Sequence, residues 1–104
     1  MEKKMYNEVL AELERVFNGS SMVTIAENEG MGRLTVTFEK GIEYLDFLIT
    51  FGEEYLIIEG CANGCVYSTA YVDYDDVDFF GTFDEKFIRL YGEVNADVMR
   101  EMFN

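Results

Sequence analysis

Two cysteines and a dense run of carboxylates are the residues of this chain that invite a chemical reading. Cys61-Ala62-Asn63-Gly64-Cys65 separates its thiols by three residues. A structural zinc site wants four cysteine or histidine ligands, and the sequence has no histidine and no second cysteine pair. Redox chemistry of the Cys-x-x-Cys kind needs a different spacing and a helix N-terminus. The pair therefore reads as two half-buried thiols of a β-hairpin, with a facultative disulfide across the hairpin as the alternative. The run Asp73-Tyr74-Asp75-Asp76-Val77-Asp78 invites a calcium loop. Begun at Asp73, the fifth ligand position of an EF-hand falls on Val77, and the sixth, which must be glycine, falls on Asp78. The motif fails, and no metal or other cofactor is expected.

Gly30-Met31-Gly32 lacks the third glycine of a dinucleotide fingerprint and lies between two strand-like stretches, so it reads as hairpin glycine. Paired carboxylates can run acid–base chemistry in glycosidases, but nothing selects one pair among 21 acids. A domain of 104 residues with this much sheet also leaves little room for a deep sugar cleft. The absence of histidine removes the commonest general base and metal ligand. No catalytic residue is assigned, and the chain is not expected to be an enzyme.

What remains is charge. Eight Lys and Arg stand against 21 Asp and Glu, a net charge of −13. Such a surface repels nucleic acid and anionic membrane, and attracts basic partners. Lys40 and Lys86 are consecutive basic residues; between them lie eleven acids, from Glu43 to Glu85. Within that interval, Tyr71, Tyr74, Phe79, Phe80 and Phe83 interleave with Asp73, Asp75, Asp76, Asp78 and Asp84.

The elements that would hold these residues follow from periodicity. Met5, Tyr6, Val9, Leu10, Leu13, Val16 and Phe17 recur at helical spacing, so residues 3–17 read as an amphipathic helix, stopped by Asn18-Gly19. From Met22 the period becomes two. Strands are expected at about 22–28, 33–39, 42–51, 55–61 and 65–72, separated by Asn28–Gly32, Lys40-Gly41, Gly52-Glu53 and Ala62-Asn63-Gly64. A three-residue loop at Ala62–Gly64 would set Cys61 opposite Cys65, Glu59 opposite Tyr67 and Tyr55 opposite Tyr71, with Leu56, Ile58, Val66 and Ala70 on the other face. Asp75-Asp76 can cap a short turn through Phe80. Thr82 and Glu85 form a capping box for a helix closed by Gly92, and Asn95 can cap a last one. The expectation is an α+β fold in one domain, residues 1–104. An N-terminal helix, a five-stranded antiparallel meander and two or three short C-terminal helices would compose it, with the helices packed on one sheet face.

No apolar run of 18 residues is present, and the N-terminus lacks the apolar stretch of a signal peptide. A cytoplasmic protein is expected, host cytoplasm if phage-encoded. Its partner is expected to be a basic protein such as a nucleic-acid-binding enzyme or effector, with no direct contact to nucleic acid or membrane, and the chain itself a monomer or homodimer. The candidate partner-binding residues are Glu59, Tyr67, Tyr71, Asp73, Tyr74, Asp75, Asp76, Asp78 and Asp84. Tyrosines supply contact area, and carboxylates at strand spacing can imitate a row of phosphates. The ordinary reading of the same segment is a solvated connection whose acids cap helices and whose aromatics pack under the sheet.

In size, acidity and lack of catalytic residues the chain resembles the small phage-encoded inhibitors of host defence, anti-CRISPR proteins among them. That resemblance is one of type and carries over no residue. It implies an inhibitor that occupies the nucleic-acid-binding surface of its target as a DNA or RNA mimic. The alternative is an immunity, antitoxin-like or adaptor protein that presents its acidic face to one specific basic partner.

Overall fold

A computed structural model describes residues 2–40 and 43–103, without the side chains of 40, 43, 98, 99 and 101–103. Helix α1 (Lys3–Val16) leads into strands β1 (Val23–Asn28), β2 (Arg33–Lys40), β3 (Glu43–Phe51), β4 (Tyr55–Ala62) and β5 (Cys65–Asp73), and helix α2 (Phe79–Phe103) follows. The strands form one antiparallel sheet in the order β1-β2-β3-β4-β5. This is the α+β meander that the sequence pattern predicts. The Lys40-Gly41 turn lies partly outside the described residues.

Alternation sorts the sheet into two faces. Leu34, Val36, Leu45, Phe47, Ile49, Phe51, Leu56, Ile58, Ala70 and Val72 point one way and are buried. Both helices close over that face. α1 buries Tyr6, Val9 and Leu13, and α2 buries Phe79, Phe83, Phe87, Leu90 and Val94 at helical spacing. The layers meet in a connected set of rings. Phe38 is 5.4 Å from Phe17, 5.6 Å from Phe47 and 5.1 Å from Tyr91, and Phe47 is 4.9 Å from Phe87. Edge and tilted pairs at such distances add to the burial they already contribute.

The helices run parallel to each other. At one end of the sheet the Tyr6 ring lies 5.3 Å from Phe51 and its hydroxyl donates to Glu27 at 3.2 Å, while Phe79, the first residue of α2, packs on Tyr74. At the other end Phe17 and Tyr91 both reach Phe38. The two helix N-termini therefore share an end with the β1–β2 turn, the β3–β4 turn and the exit of β5.

Two details differ from the sequence expectation. The β4–β5 turn has two residues, Asn63 and Gly64, both at positive φ (52° and 82°), as a tight hairpin turn requires. Ala62 pairs with Cys65 and Cys61 with Val66; a bulge at Gly60/Cys61 then sets Glu59 opposite Thr69 and Tyr55 opposite Asp73. The main register is thus two residues from the one expected, which keeps Leu56, Ile58 and Ala70 on one face but leaves Val66 53% exposed. The second difference is α2, a single helix of 25 residues. It starts at Phe79, and Thr82 donates its N–H to the Asp78 carbonyl at 2.9 Å, so Thr82, Gly92 and Asn95 are interior residues and not boundaries. Burial of Phe87, Leu90 and Val94 along one stripe outweighs the roughly 1 kcal/mol that a glycine costs within a helix.

Glycine leaves room for α2 on β4 at Gly60. A Cβ at Gly60 would stand 2.6 Å from Val94 Cγ2 and 3.3 Å from Phe47 Cε1, whereas one at Gly92 would meet open space. Gly60→Ala is expected to cost about 1–3 kcal/mol in denaturant unfolding. Gly92→Ala is expected to gain up to about 1 kcal/mol, a gain that a helix ending at Gly92 would not give.

Candidate functional site

Because both helices cover one face, the other face of the sheet is bare. Its residues fall in cross-strand rows: Thr24-Thr37-Asp46-Cys61, Ala26-Thr35-Leu48-Glu59-Thr69, and Asn28-Arg33-Thr50-Ile57-Tyr71. Thr37 donates to Asp46 Oδ1 at 2.7 Å, and Arg33 Nε donates to Thr50 Oγ1 at 3.2 Å. Tyr55 and Tyr71 meet edge-on at 5.7 Å. Leu48 and Ile57 are half-exposed, and Tyr44, Tyr55 and Tyr71 are exposed. Of these residue types, tyrosine is the one that protein-binding surfaces favour.

This face runs into an acidic end. Tyr74 donates its N–H to the Glu54 carbonyl at 3.1 Å and its hydroxyl to the Gly52 carbonyl at 2.8 Å, which ties the segment after β5 to the β3–β4 turn. Glu53 and Glu54 thereby join Asp73, Asp75, Asp76 and Asp78. Glu2, at the start of α1, lies close enough to add to the rise in the Tyr74 pKa. Asp76 Oδ1 accepts from the Asp78 N–H at 2.9 Å, and the Asp78 carboxylate lies against Gly81 in the first turn of α2. These two acids do local structural work. Glu53, Glu54, Glu59, Asp73 and Asp75 have no ion pair among the described residues. Of the ion pairs among the described residues, Lys3–Glu29 lies at this same end, between the start of α1 and the β1–β2 turn, while Arg15–Glu12, Arg89–Glu93 and Arg100–Asp97 lie along the helices. Lys86 donates to the Tyr71 carbonyl.

The structure divides the candidate residues. Glu59, Tyr71 and Asp73 share the bare face, and Asp73 continues into Asp75, Asp76 and Asp78 at the acidic end. Tyr74 is the clasp between the two turns; burial, then Glu2, pushes its hydroxyl pKa up to about 12. Tyr67 sits at the bulge, half-buried against the core. Asp84 stands apart, on the helical side of the sheet beside Glu12 and Arg15 of α1. Partial burial holds its carboxyl above the usual range; Glu12 raises it further, Arg15 opposes, and Asp78 adds to the rise. Sequence reasoning did not single out Glu53 and Glu54. They lie in the base-free interval, but the Tyr74 clasp that makes them neighbours of Asp73 is a tertiary contact.

Cys61 is buried and Cys65 exposed, and both are free. Burial, then Glu59 and Asp46, raises the Cys61 thiol pKa and so keeps it in the poorly nucleophilic protonated form. Among the described residues no three Cys, Asp or Glu are placed to hold a metal ion, and no helix is long and apolar enough to cross a membrane. Against known proteins the chain matched no family, no curated protein and no solved structure.

Two titrations follow. Tyr6, buried and bonded to Glu27, is also pushed up to about 12. Tyrosines raised in the folded state stabilise below their unfolded value of 10.0 and lose that contribution as pH rises to about 12. The melting temperature should therefore fall across this window, less steeply in a Tyr6→Phe, Tyr74→Phe double variant. Asp84 is raised too, so its ionisation opposes folding. Asp84→Asn should raise the melting temperature near about pH 7 and lose that gain near about pH 3, where both states are protonated.

Proposed function

We propose that this chain is a non-catalytic binding domain that presents the acidic end and the adjoining bare face to a basic protein, occupying the surface with which that protein holds nucleic acid. The observation that carries the reading is the set of carboxylates on Glu53, Glu54, Glu59, Asp73 and Asp75. The Tyr74 clasp brings Glu53 and Glu54 to Asp73 and Asp75, Glu59 lies on the adjoining face, and none of the five has an ion pair among the described residues. Surface carboxylates that serve the fold usually accept a hydrogen bond or join an ion pair, as Asp76 and Glu12 do here. Two of these acids, Glu59 and Asp73, lie on strands and the other three in the adjoining turns, and together they offer an arginine-rich groove a stand-in for phosphates. Tyr55 and Tyr71, beside them, add apolar contact area. The immunity or adaptor reading uses the same surface, and what separates the two is whether nucleic acid competes.

The test is capture on the immobilised protein at low salt. Bound nucleic-acid-binding proteins should be released by salt steps and by added DNA or RNA, because each neutralised phosphate analogue carries a salt-dependent term. Replacing Glu53, Glu54, Asp73 and Asp75 by lysine should abolish that capture. Retention that neither salt nor nucleic acid disturbs would rule out the mimic.

A further inference from the structure

The apolar stripes of both helices continue past the residues the sheet can cover. Val16 follows Val9 and Leu13 at helical spacing yet is 50% exposed, and Ile88, beside the buried Phe87, is 69% exposed. They face each other across a groove of about 330 Å³ between α1 and α2. Phe17, Phe38, Phe87 and Tyr91 make its floor, and of these Phe17, Phe38 and Tyr91 are only half-buried. Glu12 and Asp84 stand at its margin. Arg15, held by Glu12, leaves the pair of acids with one unit of uncompensated negative charge.

We propose that this groove docks an amphipathic helix of a basic protein partner, with apolar side chains on the aromatic floor and a lysine or arginine against Asp84 and Glu12. The lining runs from Phe83 to Tyr91 on α2, about 12 Å at 1.5 Å per residue. The α1 side is shorter, from Glu12 to Phe17, about 7.5 Å, so the α2 wall sets a row of anchors at i, i+3 or i+4, and i+7. Charge selects the occupant. A second copy would bring another net −13 to a margin that is already acidic, whereas a cationic helix relieves the repulsion among Glu12, Asp84 and Asp78. The groove lies on the opposite side of the sheet from Glu59 and Tyr71, so this inference does not depend on the phosphate-mimic reading.

The probe is an amphipathic leucine–lysine peptide of about 14 residues, titrated into the isotope-labelled full chain. Amide shifts should change around Leu13–Phe17 and Phe83–Tyr91, and the same footprint should persist when Glu53, Glu54, Asp73 and Asp75 are replaced by lysine. Ile88→Lys should weaken binding at least about tenfold through lost apolar contact and added repulsion. Asp84→Asn should weaken it about threefold, the scale of a part-exposed ion pair. Ile88 is exposed, so an unchanged far-ultraviolet dichroism spectrum will show that the variant is folded. Three results would each overturn the proposal: shifts confined to the acidic end, a leucine–glutamate peptide that binds equally well, or groove shifts that grow with protein concentration alone, which would make the occupant a second copy.

Discussion

The structure depends on one constraint: five strands in a meander share a single covered face, and every large buried side chain must find its place there. The aromatic set of Phe17, Phe38, Phe47, Phe87 and Tyr91 is where the end of α1, the sheet and α2 meet, and at Gly60 the Val94 side chain of α2 occupies the room a Cβ would need. An odd number of antiparallel strands between the helices makes them parallel and puts both N-termini at the end where the acidic turns lie. The partial positive charge of helix N-termini offsets nearby carboxylates. Packing both helices on one side leaves the second face of the sheet without cover.

That arrangement explains how so acidic a chain can fold. The interior holds no buried charged residue among those described. The carboxylates are at the rim, where water and helix N-termini share the cost of their repulsion. Asp76 and Asp78 are used by the fold. Glu53, Glu54, Asp73 and Asp75 have no ion pair among the described residues, and the proposed docking of a basic partner rests on that contrast within a few residues.

Much of this was legible in the sequence. Leu34, Val36 and Phe38 alternating with Arg33, Thr35 and Thr37 determine a strand and its faces, and the short connections determine the meander. What escaped was tertiary. Asn63-Gly64 can turn a hairpin in two residues or sit in a longer loop, and the two-residue turn together with the bulge at Gly60/Cys61 decides the register. Thr82, Gly92 and Asn95 are good local boundary signals, overridden by the continuous buried stripe of α2. Val16 follows core periodicity but is exposed, because periodicity says which face a residue is on and not whether anything covers it; Ile88 stands about 100° round the helix from the buried Phe87. The convergence of Glu53 and Glu54 with Asp73 rests on Tyr74 reaching back to the β3–β4 turn.

The central claim is that the unpaired acids are retained for a partner and not for the fold. Thermal unfolding of the free protein at about 10 mM and about 1 M salt, with and without lysine at Glu53, Glu54, Asp73 and Asp75, tests it most directly. If the claim holds, the variant melts at or above the temperature of the parent in low salt, and the difference collapses in high salt as repulsion is screened. A variant that melts several degrees lower at both salt concentrations would show that these carboxylates hold the structure together, and would contradict the account.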